Sequence, residues 1–209
     1  MSGIISQNLG RSSGLLKAVE AGGGAWTLIK TLTADGSATT MSFVNGASDV
    51  VLDDTYDSYK FIISNLHPQT DQVTFSWQGS IDTGSSYGVS TTNTNTGVYH
   101  NESDSSGDHE YHTGGDLSNS TSEIALYGNG STGNDNDQNL SSEITLYNPS
   151  STTYVKHYLV NTQHNERSDY LDASKLAGYF NTTSAIDAIR FSVSSGNIDA
   201  GTISLYGIS

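Results

Sequence analysis

The last twenty residues contain two segments in which apolar and polar residues alternate. Arg190-Phe191-Ser192-Val193-Ser194 is followed by Ser195-Gly196-Asn197, and then Gly201-Thr202-Ile203-Ser204-Leu205-Tyr206-Gly207-Ile208-Ser209. The apolar residues lie two positions apart, which is the period of a β-strand with one buried and one solvated face. Glycine and asparagine between the segments are typical of a turn, so we predict either a hairpin or a short connection between two sheets.

The same period of two recurs through the interior of the chain. Val73, Phe75 and Trp77 alternate with polar residues and predict a one-faced strand. Further strands are predicted from Trp26 to the Asp35-Gly36 turn and at residues 98–100, 123–127, 143–147 and 154–161. Helical patterns are poor, and only residues 168–176 could form a turn or two. We therefore predict an all-β fold, a jelly-roll-like antiparallel β-sandwich with an N-terminal extended arm.

Composition separates two explanations of the low hydrophobic content. Only 34% of the 209 residues are hydrophobic, which would suit either disorder or an all-β domain with a thin core and polar loops. Twelve tyrosines, five phenylalanines and two tryptophans favour the folded domain, because disordered chains are poor in aromatic residues. There is no cysteine, and we find neither an apolar run long enough to span a membrane nor a signal peptide. We therefore expect synthesis in a cytoplasm and no membrane partner.

The negative charge is concentrated in the middle of the chain. The net charge is −14, and eleven acidic residues and no lysine or arginine lie between Lys60 and Lys156. Such a surface repels nucleic acid and anionic membranes. We expect no nucleic acid partner.

The N-terminal residues differ from the rest of the sequence. Residues 1–24 form a predicted arm that ends in a flexible Gly22-Gly23-Gly24 joint, and residues 25–209 form the predicted sandwich domain. Arg11 and Lys17 make the arm basic, with Glu20 as its one acidic residue. The arm could dock on a partner, or it could be a loose terminus.

Both ends and part of the interior carry a resemblance to a known group. The residues concerned are Met1-Ser2-Gly3-Ile4-Ile5, Arg11-Ser12-Ser13-Gly14-Leu15-Leu16, Gly24-Ala25-Trp26-Thr27-Leu28-Ile29-Lys30, Leu52-Asp53-Asp54-Thr55-Tyr56-Asp57-Ser58-Tyr59, residues 179–189, Ser194-Ser195-Gly196-Asn197 and residues 201–208. The chain resembles the small structural proteins, of decoration or fibre type, of marine tailed bacteriophages. These are assembly motifs rather than catalytic ones.

The resemblance implies a non-enzymatic virion structural protein on the particle exterior. By analogy we expect a homotrimer, made in the host cytoplasm and attached to the capsid as a decoration or cement protein. The arm would bind the major capsid protein or another virion protein through apolar and basic side chains. The predicted contact residues are Ile4, Ile5, Arg11, Leu15, Leu16 and Lys17.

Two alternatives from other functional classes remain. A tail-fibre or head-fibre receptor-binding module would use the tyrosine-rich loops between Tyr87 and Asn139 to recognise a host surface glycan. A carbohydrate-active enzyme would need a pair of carboxylates, and the spacing of the acidic residues selects no such pair.

Two glycine-rich patterns resemble catalytic motifs without their context. Gly84-Ser85-Ser86-Tyr87-Gly88 matches G-x-S-x-G, yet no helix is predicted after it, so we interpret it as a hairpin turn. Residues 128–133 match G-x-G-x-x-G, but the acidic stretch that follows is no phosphate-binding helix. We predict no catalytic residue and no cofactor-binding residue.

Two further stretches could bind metal. Asp135-Asn136-Asp137 offers hard oxygen ligands suited to Ca²⁺, although the twelfth-position glutamate of an EF-hand is absent, and a charged turn is the alternative. His109-Glu110-Tyr111-His112 falls one residue short of H-E-x-x-H and is predicted to lie in a polar loop near His100. Its histidines could instead be incidental or line a subunit contact. Calcium at Asp135 and Asp137 is the one metal prediction we make.

A short sequence pattern occurs twice in the chain, and a part of it occurs a third time near the C-terminus. Residues 122–127 and 142–147 both read Ser-Glu-Ile-x-Leu-Tyr, and residues 203–206 read Ile-Ser-Leu-Tyr. We predict three strands with isoleucine and leucine on one face and tyrosine on the other. Two copies and a fragment do not indicate a solenoid.

Overall fold

The computed structural model describes residues 26–128 and 130–209, which form an antiparallel β-sandwich of thirteen strands. The all-β prediction is confirmed. Residues 1–25, which hold the predicted arm, and Asn129 lie outside the described residues. In the described part the only helical segment is the 3-10 turn Thr113–Gly115, and no helix could span a membrane.

The strands are β1 (Trp26–Thr33), β2 (Thr40–Val44), β3 (Ser58–Pro68), β4 (Phe75–Ser80), β5 (Thr91–Asn101), β6 (Gly107–Tyr111), β7 (Leu117–Ser120), β8 (Ile124–Ala125), β9 (Leu140–Tyr147), β10 (Lys156–Glu166), β11 (Tyr170–Phe180), β12 (Ala188–Val193) and β13 (Ile198–Ile208).

The two sheets differ in size. The large sheet has nine strands in the order β1-β13-β3-β9-β10-β11-β5-β6, with β7 also pairing with β5, and the small sheet has four in the order β2-β12-β4-β8. Because β12 and β13 belong to different sheets, the turn at residues 195–197 is a connection between sheets rather than a hairpin. The two alternating segments near the C-terminus are therefore strands of different layers of the sandwich.

Aromatic rings fill the space between the sheets. Phe61 of the large sheet packs edge-on against Phe43 and Phe191 of the small sheet, with ring centroids 5.4 and 5.5 Å apart. Trp77 of β4 is fully buried and contacts Tyr158 at 4.9 Å. Edge-on pairs of this kind contribute beyond the burial of their area. The sandwich therefore has two aromatic clusters within its hydrophobic core despite its low hydrophobic content.

Residues 168–176, the one stretch that could have formed a helical turn or two, form no helix. These residues begin β11, an eleven-residue strand that pairs with β10 on one side and β5 on the other. Ser174 and Leu176 face inward while Ala173 and Lys175 face outward, so the stretch has a period of two. Pairing on both sides outweighs any local helical preference of alanine, lysine and leucine.

The connection that contains Gly84 and Gly88 is also not a hairpin. It joins β4 of the small sheet to β5 of the large one. Asp82 organises it, because its carboxylate accepts hydrogen bonds from the Ser86 hydroxyl and backbone amide and from Ser80 Oγ. The same bonds, that of the Ser86 hydroxyl first, lower the pKa of Asp82 to about 2. The serine of the G-x-S-x-G pattern, Ser86, therefore stabilises this loop through its hydrogen bonds to Asp82.

The repeated Ser-Glu-Ile-x-Leu-Tyr pattern is used in two different ways. Tyr147 is exposed on the side opposite Ile144 and Leu146, as predicted. Tyr127 is buried, and its hydroxyl donates to the Val73 carbonyl oxygen at 2.9 Å. The prediction is wrong for this copy because strand β8 ends at Ala125, so the chain leaves the pleat before Tyr127.

Candidate functional site

A pocket of about 270 Å³ lies where β5, β10 and β11 meet the segment between β8 and β9. This volume is close to the lower end of typical small-molecule sites, roughly 300–1,000 Å³. The Tyr99 and Tyr170 rings meet edge-on, with centroids 5.8 Å apart. The pocket is lined by Tyr99, Ser106, Gly130, Glu166, Tyr170 and Asp172.

Strand register places a carboxylate in this pocket. In β11, Asp172 pairs with His164 of β10 on one side and with Tyr99 of β5 on the other. The alternation that sends Leu176 into the core sends Asp172 to the same inner face of the sheet. Three adjacent strands therefore present His164, Asp172 and Tyr99 in one row.

The Asp172 carboxylate is almost fully buried, with 3% of the residue exposed. Its described contacts both involve Oδ1, which accepts a hydrogen bond from Ser174 Oγ at 2.6 Å and lies 3.9 Å from His164 Nδ1. Burial raises the pKa of Asp172, the Ser174 hydrogen bond and the charge of His112 oppose this rise, and the charges of Glu110 and Glu166 add to it. A buried carboxylate is costly unless a cation or several hydrogen bonds compensate it.

His164 does not supply the compensating charge. Burial lowers its pKa to about 4, so the ring is neutral at pH 7. The ring stacks on Tyr127 with centroids 3.9 Å apart, and neither ring nitrogen has a hydrogen-bond partner in the described part of the protein. The same is true of His112 Nε2 and of both polar side-chain atoms of Asn95. Beside the pocket there is thus a buried polar layer whose hydrogen-bonding capacity is only partly used.

A second feature is the side of the large sheet that faces away from the small sheet, which we call the outer face. One paired row across it runs Leu28, Tyr206, Lys60, Thr145, Leu159, Ala177 and Thr94. Nine large apolar side chains are exposed among the described residues. Seven of these nine lie on the outer face, namely Trp26, Leu28, Val98, Tyr111, Tyr147, Leu159 and Leu171.

The outer face also differs from the rest of the domain in charge. Residues 1–25 contribute +1 to the total of −14, so residues 26–209 carry −15. On strands β3, β9, β10, β11 and β5 the outer face has just three charged side chains, Lys60, Glu143 and Lys175. Lys60 and Glu143 form an ion pair of 2.8 Å, which leaves Lys175 as the excess charge. On these strands the outer face therefore carries no excess negative charge, in contrast to the rest of the domain.

The predicted calcium ligands lie in an exposed turn. Asp135 and Asp137 are both exposed, and the described polar contacts of Asp135 involve its backbone, whose carbonyl oxygen accepts from Gln138 N at 2.9 Å. Among residues 26–128 and 130–209, no three His, Cys, Asp or Glu side chains are grouped so that they could hold a metal ion. Calcium binding by Asp135 and Asp137 stays a prediction.

The His109–His112 stretch was predicted to lie in a loop, but most of it forms a strand. Residues 109–111 belong to β6, which pairs with β5 at the edge of the large sheet. The period of two separates the histidines: His109 lies on the outer face, whereas His112 follows the strand and is buried. The predicted partner-binding residues, Ile4, Ile5, Arg11, Leu15, Leu16 and Lys17, all lie outside the described residues.

Sequence reasoning missed half of the pocket. Glu166, Tyr170 and Asp172 lie beyond the Tyr87–Asn139 interval that was predicted to recognise ligands, whereas Tyr99 and Ser106 lie within it. One signal was present: once residues 170–180 are aligned as a strand, an aspartate occupies an inward position. Charged residues are rarely buried without a reason, so that position marks a candidate site.

The fold and these two features define an antiparallel β-sandwich with a polar pocket and an open sheet face on which most of the exposed large apolar side chains lie. A scan of the chain against protein-family models found no match, and a search of curated proteins found no similar sequence.

Proposed function

We propose that this protein is a non-enzymatic structural protein of a phage virion, a capsid decoration protein that assembles as a homotrimer. The observation that carries the proposal is the outer face, an open sheet surface that carries seven of the nine exposed large apolar side chains of the described residues among polar ones. Monomeric soluble proteins rarely expose contiguous apolar patches larger than a few hundred Å², and larger ones mark interaction sites. The phage context comes from the sequence resemblance alone.

Charge favours a second copy of the chain as the occupant of the outer face. Two domains that each carry −15 repel one another through most of their surfaces. The outer face is the place where this repulsion is weakest, because Lys60 and Glu143 neutralise each other and Lys175 adds a positive charge. Copies that meet through this face bury apolar area and keep their acidic loops apart.

A charge placed at the centre of the outer face should prevent this self-association. We expect the wild-type protein to be trimeric in sedimentation velocity and Leu159→Glu to weaken association about 100-fold or more, because a buried unpaired carboxylate opposes contact. Ile81→Glu is the matched control, since Ile81 is equally exposed but lies in the β4–β5 connection. A wild-type protein that stays monomeric at high concentration, or equal effects of both variants, would contradict the proposal.

Attachment to the particle is proposed to depend on the N-terminal arm. Deleting residues 1–20 should abolish binding to decoration-free particles and leave the circular dichroism spectrum and melting temperature of the sandwich unchanged. In purified virions, quantitative mass spectrometry should count the protein in the hundreds relative to the major capsid protein. Retained attachment after the deletion would refute the role of the arm, and a count of about a dozen would favour a fibre instead.

The pocket favours a second candidate function, a fibre module that binds a host surface glycan. Tyr99 and Tyr170 provide aromatic surface, and Ser106, Glu166 and Asp172 provide polar groups. Tyrosine rings with polar neighbours are well suited to contacts with sugars and other polar epitopes. The low copy number of a fibre separates this candidate from a decoration protein.

A further inference from the structure

We infer that the pocket between Tyr99 and Tyr170 binds a primary ammonium group, such as that of an unacetylated amino sugar. The sugar part of this inference rests on the second candidate function, whereas the requirement for a cation does not. Neither part depends on the proposed assembly through the outer face.

The first argument is the unbalanced charge of the pocket. Glu166 and Asp172 both line it, and both described contacts of the Asp172 carboxylate are on Oδ1. Arg167 Nε lies 3.6 Å from Glu166 Oε1, but the Arg167 side chain is 44% exposed, so solvent screens much of its charge. The charge of His112 acts against that of Asp172, and the charges of Glu110 and Glu166 reinforce it. A cation that enters the pocket therefore meets more negative than positive charge.

The second argument is the partly used polar layer behind the carboxylate. His164 is 1% exposed and lies 3.9 Å from Asp172 through its Nδ1 atom. Neither of its ring nitrogens has a hydrogen-bond partner among residues 26–128 and 130–209. A neutral ring of this kind cannot neutralise Asp172, although it can accept a hydrogen bond. Among the described residues, the buried Asp172 carboxylate thus accepts a hydrogen bond from Ser174 and has no lysine or arginine in contact with it.

The third argument is the shape and aromatic lining of the pocket. Tyrosine rings attract cations through their negative faces, and this attraction is stronger where solvent is excluded. A volume of about 270 Å³ suits one small group rather than an extended chain. No three metal-ligating side chains are grouped in residues 26–128 and 130–209, which favours an organic cation over a metal ion.

Isothermal titration calorimetry at low ionic strength tests the inference with three probes: D-glucosamine, N-acetylglucosamine and n-butylamine. We expect glucosamine to bind with a dissociation constant on the order of millimolar and N-acetylglucosamine, which lacks the charge, to bind at least about tenfold more weakly. Binding of butylamine would show that the ammonium group alone is sufficient. Binding of glucosamine but not butylamine would support the inference with the sugar ring as a second requirement.

Variants assign the binding to the pocket. Asp172→Asn should weaken glucosamine binding about tenfold or more, because it removes the charge and keeps an acceptor for Ser174 Oγ. Asp71→Asn, in an exposed loop, is the matched control and should bind as the wild type does. Should Asp172→Asn fail to fold, Glu166→Gln provides the same test from the second carboxylate.

Two results would overturn the inference. If glucosamine and N-acetylglucosamine bound equally well and Asp172→Asn had no effect, the cation requirement would be wrong, while glycan recognition would stand. If neither amine bound at tens of millimolar, the pocket would not be an ammonium site. Neither result bears on the trimer, which sedimentation tests separately.

Discussion

Replacing Trp77 with alanine should lower the free energy of unfolding by about 3–5 kcal/mol, which is the usual range for a buried aromatic residue. Trp77 is fully buried on β4 and contacts Tyr158 and Phe180 of the large sheet at 4.9 and 5.4 Å. Its removal would open a cavity between the two sheets at the point where aromatic rings hold them together. Typical domains are stable by about 5–15 kcal/mol, so this single change would consume a large part of the total.

Urea denaturation followed by circular dichroism measures this effect, and two variants control it. Trp77→Phe should cost less than half as much, because the indole nitrogen has no hydrogen-bond partner among the described residues and the phenyl ring keeps most of the packing. Trp26→Ala should cost about 1 kcal/mol or less, since Trp26 is half exposed on the edge strand β1. A Trp77→Ala variant as stable as Trp26→Ala would show that the two sheets are not joined through this cluster.

The alternation of residues predicts much of the fold because burial on one side of a sheet imposes a period of two. Val73, Phe75 and Trp77 were predicted to lie on the buried face of a one-faced strand, and all three are buried. The predicted solvated face is wrong, because every residue of β4 from Phe75 to Ser80 is buried, and Val73 precedes the strand. The local pattern is ambiguous where pairing partners decide, as in β11, which pairs along its whole length with β10 just before it in sequence and with the distant strand β5. It also fails at Tyr127, because the end of β8 cannot be read from a pattern that repeats at Tyr147.

The pocket was less predictable than the fold because it depends on strand register. Asp172 meets His164 and Tyr99 only through two independent pairings, and a shift of one residue would turn the Asp172 carboxylate to the outer face. The exposure of the outer face could not be predicted either, because it depends on how the strands divide between the large and the small sheet. Period two predicts that Leu159 and Leu171 oppose the core-facing side, but not that the described residues leave that side uncovered.

The wild-type protein should lose about 3 kcal/mol of stability as the pH falls from about 6.5 to about 4, and His164→Phe should remove this loss. Burial lowers the pKa of His164 from 6.5 to about 4 in the folded state. Between these two values the unfolded chain binds a proton that the folded protein does not, so acid favours unfolding. The stabilising contribution is therefore complete above pH 6.5 and is lost as the pH falls through the folded pKa.

Asp172 acts in the opposite direction, so the comparison must be made between variants. Burial raises its folded pKa above 3.8, and the stability that its protonation provides is lost as the pH rises through that raised value. The difference in stability between the wild type and His164→Phe gives the contribution of the histidine alone.

The measurement is the urea midpoint at pH 7, 6, 5 and 4.5 at fixed protein concentration. In His164→Phe, which keeps a ring against Tyr127, the midpoints should be nearly the same at all four pH values. His157→Gln, an exposed change on the same strand, should leave the wild-type acid loss intact. If His164→Phe lost as much stability in acid as the wild type, another group would have to cause the loss, because phenylalanine cannot bind a proton.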